Sequence, residues 1–169
     1  MSDVQVGLSQ IPMAGKGVFA RRPFRKGELV SVSPVMFLQR DIIDREEAST
    51  LLINYCLSAS HADILALPFG TAGMINHGGR LASNLNIQWF DWQDDTCRIG
   101  RRDNVSALFD SLSQESLLNA SNAPLYMGYY AQRFIEEGEE LTIDYGQDWE
   151  DEWLRYLEAL EGWIQTKAD

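Results

Sequence analysis

The sequence predicts a β-rich α+β fold, an open arrangement of several small sheets with few helices. Three observations carry that expectation. Turn residues break the first forty positions at short intervals, and later stretches alternate apolar and polar residues with a period of two. Helical three-to-four spacing is clearest near the C-terminal end.

Residues 7–40 carry turn signals at Pro12, Gly15, Gly17, Pro23, Gly27 and Pro34, which leave β-rich pieces at 17–20, 28–32 and 35–38. Asp44 is placed to cap a helix over 45–58, with Glu47 three residues on as a capping box and Leu51, Leu52, Tyr55 and Cys56 as its apolar stripe. A short strand, DILALPF (63–69), and a glycine-rich loop, GTAGMINHGG (70–79), come next. In NLNIQWF (84–90), Leu85, Ile87 and Trp89 alternate with Asn86 and Gln88, and residues 95–100 are the expected hairpin partner. A helix is expected over 113–121 and an aromatic strand over 125–134, LYMGYYAQRF.

The stretch EEGEELTIDYG (136–146) reads as a turn at Gly138 feeding a short buried strand. Leu141 and Ile143 alternate there with Thr142 and Asp144, and the strand delivers Tyr145 to a glycine. Over 149–165, Trp149, Trp153, Tyr156, Leu157, Leu160 and Ile164 fall on one helical face. No internal repeat or long linker interrupts the chain.

One domain is the simplest organisation for 169 residues, a length that buries roughly 68–70% of the unfolded surface without staples. No apolar run is long enough to span a membrane, and MSDVQVGLSQIPM lacks the charged start and apolar stretch of a signal peptide. Two cysteines, Cys56 and Cys97, are too few for a disulfide framework, so a reducing intracellular compartment, nuclear or cytoplasmic, is expected. The net charge of −11 argues against nucleic-acid binding. That charge is concentrated. Residues 136–152 hold nine acids and no Lys or Arg, a surface suited to solubility or to a cationic partner such as a lysine-rich peptide.

Familiar hydrolytic and metal chemistries find little support. The histidines are His61 and His77, and no G-x-S-x-G elbow is present. Two His and two Cys scattered at 56, 61, 77 and 97 lack the paired spacing of a zinc site, so no metal is expected. Gly15-Lys16-Gly17 lacks the Walker spacing.

Three segments in order are more specific. GKGVFARRPFRKGELV (15–30), MINHGGRLASN (74–84) and EEGEELTIDYG (136–146) together resemble the SET-domain protein lysine methyltransferases. The resemblance spans residues 6–146, and NYCLSASHADILALPFG (54–70) and DYGQDWEDEW (144–153) look like a compact, free-standing subgroup. It implies small sheets around a threaded, knot-like core, an exception to the usual absence of threaded chains.

It also implies methyl transfer from S-adenosylmethionine to a lysine of a protein or peptide, with a histone tail as one candidate. By position, the backbone of Lys16, Gly17 and Val18 would meet the methionine end of the cofactor, and Asn76 and His77 its adenosine side. Tyr145 would be the catalytic phenol. Tyr129 and Tyr130 would line the lysine channel, Tyr130 being the favoured one, where a tyrosine tends in the family to limit the number of methyl groups added. Asn84 would brace the threaded loop. Trp149 or Trp153 would pack near the adenine.

Two departures stand out. The family's N-H-S-C is Asn76-His77-Gly78-Gly79 here, which predicts a looser loop, and no cysteine cluster supplies the zinc-bound flanking modules of many members. These departures sustain a rival reading, a catalytically weak SET-fold module that binds a peptide or protein partner.

Overall fold

The computed structural model describes residues 2–39, 41, 55–58, 64–93, 98–99, 125–147, 149–151 and 153–155. The helix expected over 113–121, most of the one over 45–58, the tail beyond 155, His61 and Cys97 lie outside the described residues.

Ten strands are described: β1 (Val4–Leu8), β2 (Lys16–Ala20), β3 (Leu29–Gln39), β4 (Leu57–Ser58), β5 (Ile64–Pro68), β6 (Asn76–His77), β7 (Leu85–Gln93), β8 (Arg98–Ile99), β9 (Leu125–Ala131) and β10 (Glu140–Ile143). They form two sheets, ordered β1-β2-β10-β6 and β4-β5-β3-β9-β7-β8.

The first sheet assembles the site. β1 and β2 form an antiparallel hairpin running from Val4↔Ala20 to Leu8↔Lys16, with Pro12 and Gly15 in the intervening loop. Gly15 has φ 71°, which a residue without Cβ adopts freely. On its other edge β2 meets β10 antiparallel, Val18 opposite Leu141, and β10 meets β6 in parallel, Thr142 opposite Asn76 and Ile143 opposite His77. Three segments far apart in sequence thus lie side by side.

The second sheet supplies the bulk of the core. β3, β9 and β7 pair antiparallel along most of their lengths. They bury Val35, Phe37, Leu85, Met127, Tyr129 and Ala131 against Ile64 and Ala66 of β5. A reciprocal bridge, Phe24 to Ile135 through both amides (2.9 and 3.0 Å), ties the segment before β3 to the one after β9. Both of those side chains are fully buried.

Several expectations are corrected in detail. The pieces at 28–32 and 35–38 are one continuous strand, β3, through Pro34. The Pro34 carbonyl accepts the Phe69 amide (3.0 Å), so the missing N–H falls on the β5 side, just past the last pair, Val35↔Pro68. At the end of the expected 45–58 helix, Leu57 and Ser58 instead pair with Ala66 and Leu65 as β4. The glycine-rich stretch 70–79 contains a 3-10 helix, Gly70–Met74, followed by β6. The aromatic strand stops at Ala131, three residues early. The backbone is helical at 147, just before the expected C-terminal helix, and at 149–151 and 153–155 within its first part.

Candidate functional site

All four residues of β10 are buried, as expected of a buried strand. Asn84 explains part of this. Its amide nitrogen donates to the Glu140 carbonyl (2.8 Å) and to Glu139, its Oδ1 accepts from the Thr142 amide (2.9 Å), and its own backbone N–H reaches the Thr142 carbonyl (3.2 Å). One side chain therefore satisfies β10 where no strand lies alongside, which is the bracing role expected of it.

At the start of β2, backbone and side chains close tightly on Gly17. A Cβ at this position would lie 2.9 Å from the Glu140 carboxyl carbon and 3.2 Å from Asn76 Nδ2, so any larger residue would push the hydrogen-bonded Glu140 carboxylate aside. Asn76 Nδ2 donates to the Lys16 carbonyl (2.9 Å), Glu140 Oε1 (3.1 Å) and Ser9 Oγ (3.2 Å). Lys16, Gly17 and Asn76 form one cluster, with Val18 buried beneath it.

One residue further along, β6 presents His77. Its Nδ1 accepts the Tyr145 backbone N–H (3.0 Å), which places the imidazole proton on Nε2. That nitrogen is buried and has no acceptor among the described residues. Around it lie the rings of Tyr145 (5.4 Å between centroids) and Trp149 (4.8 Å), with Trp149 edge-on to Tyr145 (5.0 Å) and stacked on Trp153 (5.7 Å, 13°). Trp149 remains 36% exposed. A buried donor beside an accessible aromatic wall suits a flat heteroaromatic ring with acceptor nitrogens.

The Tyr145 phenol points the other way, donating to the Ile75 carbonyl (2.6 Å). Burial raises its pKa to about 12. It borders a narrow cavity of about 10 Å³, lined also by Tyr55, Cys56, Leu57, Ile75, Tyr129 and Ile143. That volume holds about one water. Tyr129 is fully buried there, its hydroxyl 3.5 Å from the Met127 sulfur, and burial followed by the nearby Tyr145 pushes its phenol far up. Tyr129, not the favoured Tyr130, lines this cavity. Consecutive strand residues face opposite sides, and Tyr130 pairs across from Leu29 and Asn86.

A family model for the SET domain matches residues 15–146. This chain belongs to the SET-domain family. Among solved structures, one similar to this SET domain is a Plasmodium falciparum protein provisionally assigned as a histone methyltransferase. It is 17% identical with a TM-score of 0.55, covering 85% of this chain and 97% of that one. Polycomb repressive complex 2 of Chaetomium thermophilum is another, 18% identical with a TM-score of 0.55, covering 85% of this chain but only 15% of the other. The same complex in an autoinhibited conformation bound to S-adenosylmethionine scores 0.55 at 18% identity, covering 86% and 15%. At these identities the likeness establishes the SET fold. No curated protein matches the sequence.

Within this SET domain the loop is closely packed at Gly78 and open at Gly79. A Cβ on Gly78 would sit 2.6 Å from Thr142 Cβ and 3.1 Å from Ser83 Oγ, so Thr142 and Ser83 fill the space a serine takes elsewhere in the family. Gly79 has φ 80°. Gly78→Ser is therefore expected to destabilise the domain by about 1–3 kcal/mol through overpacking. Thermal unfolding checks this, and a change within about 0.5 kcal/mol would show slack around Gly78.

Sequence reasoning missed Glu140, Tyr55 and Cys56 as site residues. For Glu140 no local signal existed, because its neighbours Gly17, Ser9 and Asn76 all lie far from it in sequence. Tyr55 and Cys56 were assigned to a helix stripe, and nothing in their spacing pointed to a cavity. Among the described residues no group of three or more His, Cys, Asp and Glu is placed to hold a metal.

Proposed function

We propose that this SET domain transfers a methyl group from S-adenosylmethionine to the ε-amine of a protein lysine. The observation that carries the reading is the convergence of the Gly17 cluster, the His77–Trp149 aromatic wall and the Tyr145 cavity at one junction of β2, β6 and β10. These residues fit the cofactor. Asn76, expected on the adenosine side, lies beside Gly17, so Asn76 and the backbone of Lys16 and Gly17 would hold its amino-acid end, and His77 with Trp149 its adenine. When bound, S-adenosylmethionine supplies a methyl on a sulfonium, an electrophile that a neutral amine attacks without further activation.

The protein's own task is to present that amine neutral and aimed. A free lysine has a pKa of about 10.4, and a cavity walled by Leu57, Ile75, Tyr129 and Ile143 penalises its charged form. Tyr145, raised to about 12, stays protonated at neutral pH and does not act as the base. With its proton committed to the Ile75 carbonyl, the phenol oxygen offers lone pairs to an amine N–H. Such alignment of reactants is worth several kcal/mol. The exposed acids Asp144 and Asp151, close in the chain to Tyr145 and Trp149, suit a cationic peptide, of which a histone tail is one kind. The tight packing at Gly78 removes one ground for the binding-module reading.

The test is incubation of the purified chain with methyl-labelled S-adenosylmethionine and lysine-rich proteins, including core histones, with label mapped by mass spectrometry. Label on lysine supports the reading. A folded, cofactor-binding chain that labels nothing across a broad panel counts for the partner-binding module. The same assay addresses Tyr129. Its hydroxyl narrows the cavity and gains only a sulfur contact, so Tyr129→Phe is expected to raise the share of di- and trimethylated product at little cost in stability.

A further inference from the structure

Glu140 is a carboxylate only 7% exposed, and everything holding it is neutral. Oε1 accepts from Ser9 Oγ (2.7 Å) and Asn76 Nδ2 (3.1 Å), and Oε2 accepts from the Gln10 backbone N–H (2.6 Å). No ion pair to Glu140 occurs among the described residues. Three neutral donors make an ionised carboxylate tolerable in the interior, but they leave its negative charge uncancelled.

The place where that charge sits is informative. It lies directly behind Gly17, where a Cβ would meet the carboxylate, and beside Asn76. Glu140 also sets the orientation of the Asn76 amide. Its NH₂ is committed to Glu140, the Lys16 carbonyl and Ser9, so Oδ1 is left as the acceptor, with no protein partner among the described residues. A carbonyl acceptor backed by an uncancelled buried anion is a seat for a primary ammonium.

We propose that Glu140 is a positioning residue for charge: through Asn76 and its own field it selects the cationic α-amino group at the amino-acid end of the cofactor. This inference rests on the cofactor reading above. Glu140 also latches the loop after β1 through Ser9 and Gln10, so a purely structural role must be told apart from this one.

The experiment is calorimetric titration of wild type and Glu140→Gln, as full chains, with three ligands. These are S-adenosylmethionine, S-adenosylhomocysteine, and the analogue of the latter with hydrogen in place of the α-amino group. Glu140→Gln is expected to weaken both amine-bearing ligands about tenfold or more and the deaminated analogue less than about threefold, tenfold corresponding to 1.4 kcal/mol. The homocysteine form lacks the sulfonium, so its loss reports the amine alone. An equal loss for all three ligands overturns the proposal and leaves the cofactor reading standing. A wild type that binds none of them removes both.

Should Glu140→Gln fail to fold, Ser9→Ala carries the test. It weakens the latch but keeps the charge, so wild-type preference for the amine-bearing ligands must persist. Loss of that preference in Ser9→Ala overturns the proposal.

Discussion

Tyr145→Phe is expected to lower methyl transfer at least about a hundredfold while leaving affinity for S-adenosylmethionine within about threefold. The change deletes one oxygen and keeps the ring that packs against His77 and Trp149, so the aromatic wall survives. What is lost is the hydrogen bond to the Ile75 carbonyl (2.6 Å) and the oriented lone pairs beside the cavity. The hydrogen bond itself is worth only about 1 kcal/mol net, or a few degrees of Tm in a chain of this size. Activity should therefore collapse out of proportion to stability. A parallel, proportionate loss of both would make Tyr145 a structural tyrosine.

A pH measurement sharpens the same point. The phenol is raised from 10.0 to about 12 in the folded protein. Folding thus favours its neutral form, a contribution complete below pH 10 and lost as pH rises toward about 12. Wild type should lose stability across that window more steeply than Tyr145→Phe does, as chemical denaturation at stepped pH will show.

Asn76→Ala carries the second large effect, this time on binding. Truncation strips donors from the Lys16 carbonyl and from Glu140 Oε1, and it removes the acceptor Oδ1 that we propose for the amino-acid end of the cofactor. Affinity for S-adenosylmethionine is expected to fall by about a hundredfold or more, since a charged partner is left unpaired in a partly buried site. Stability should fall as well, by about 1–3 kcal/mol for the acceptors left bare. Calorimetry read beside thermal unfolding separates the two. Unchanged affinity in a folded Asn76→Ala protein would remove Asn76 from the cofactor site.

Much of this site was legible because glycine, turn and order signals are local. Gly15, Gly27 and Gly138 take the positive φ that the turn reading required (71°, 81° and 84°), and the three ordered segments meet at β2, β6 and β10. The faces of the strands were harder to read. Period-two alternation set Thr142 apart from Leu141 and Ile143 without showing what would satisfy it, and the reason it too is buried is that β10 lies between β2 and β6 under the Asn84 side chain. Pro34 looked like a strand break, and only the end point of β5 shows why the ladder tolerates it. Tyr129 and Tyr130 were indistinguishable by type, and the register of β9 between β3 and β7 decides which one enters the core. Such facts depend on partners distant in sequence.

The central claim is that the junction of β2, β6 and β10 holds S-adenosylmethionine. Its most direct test is calorimetric titration of the purified full chain with that compound. Saturable one-to-one binding in the micromolar range, accompanied by a rise in Tm, is the predicted result. A folded protein that gives neither binding heat nor a thermal shift at millimolar ligand would contradict it.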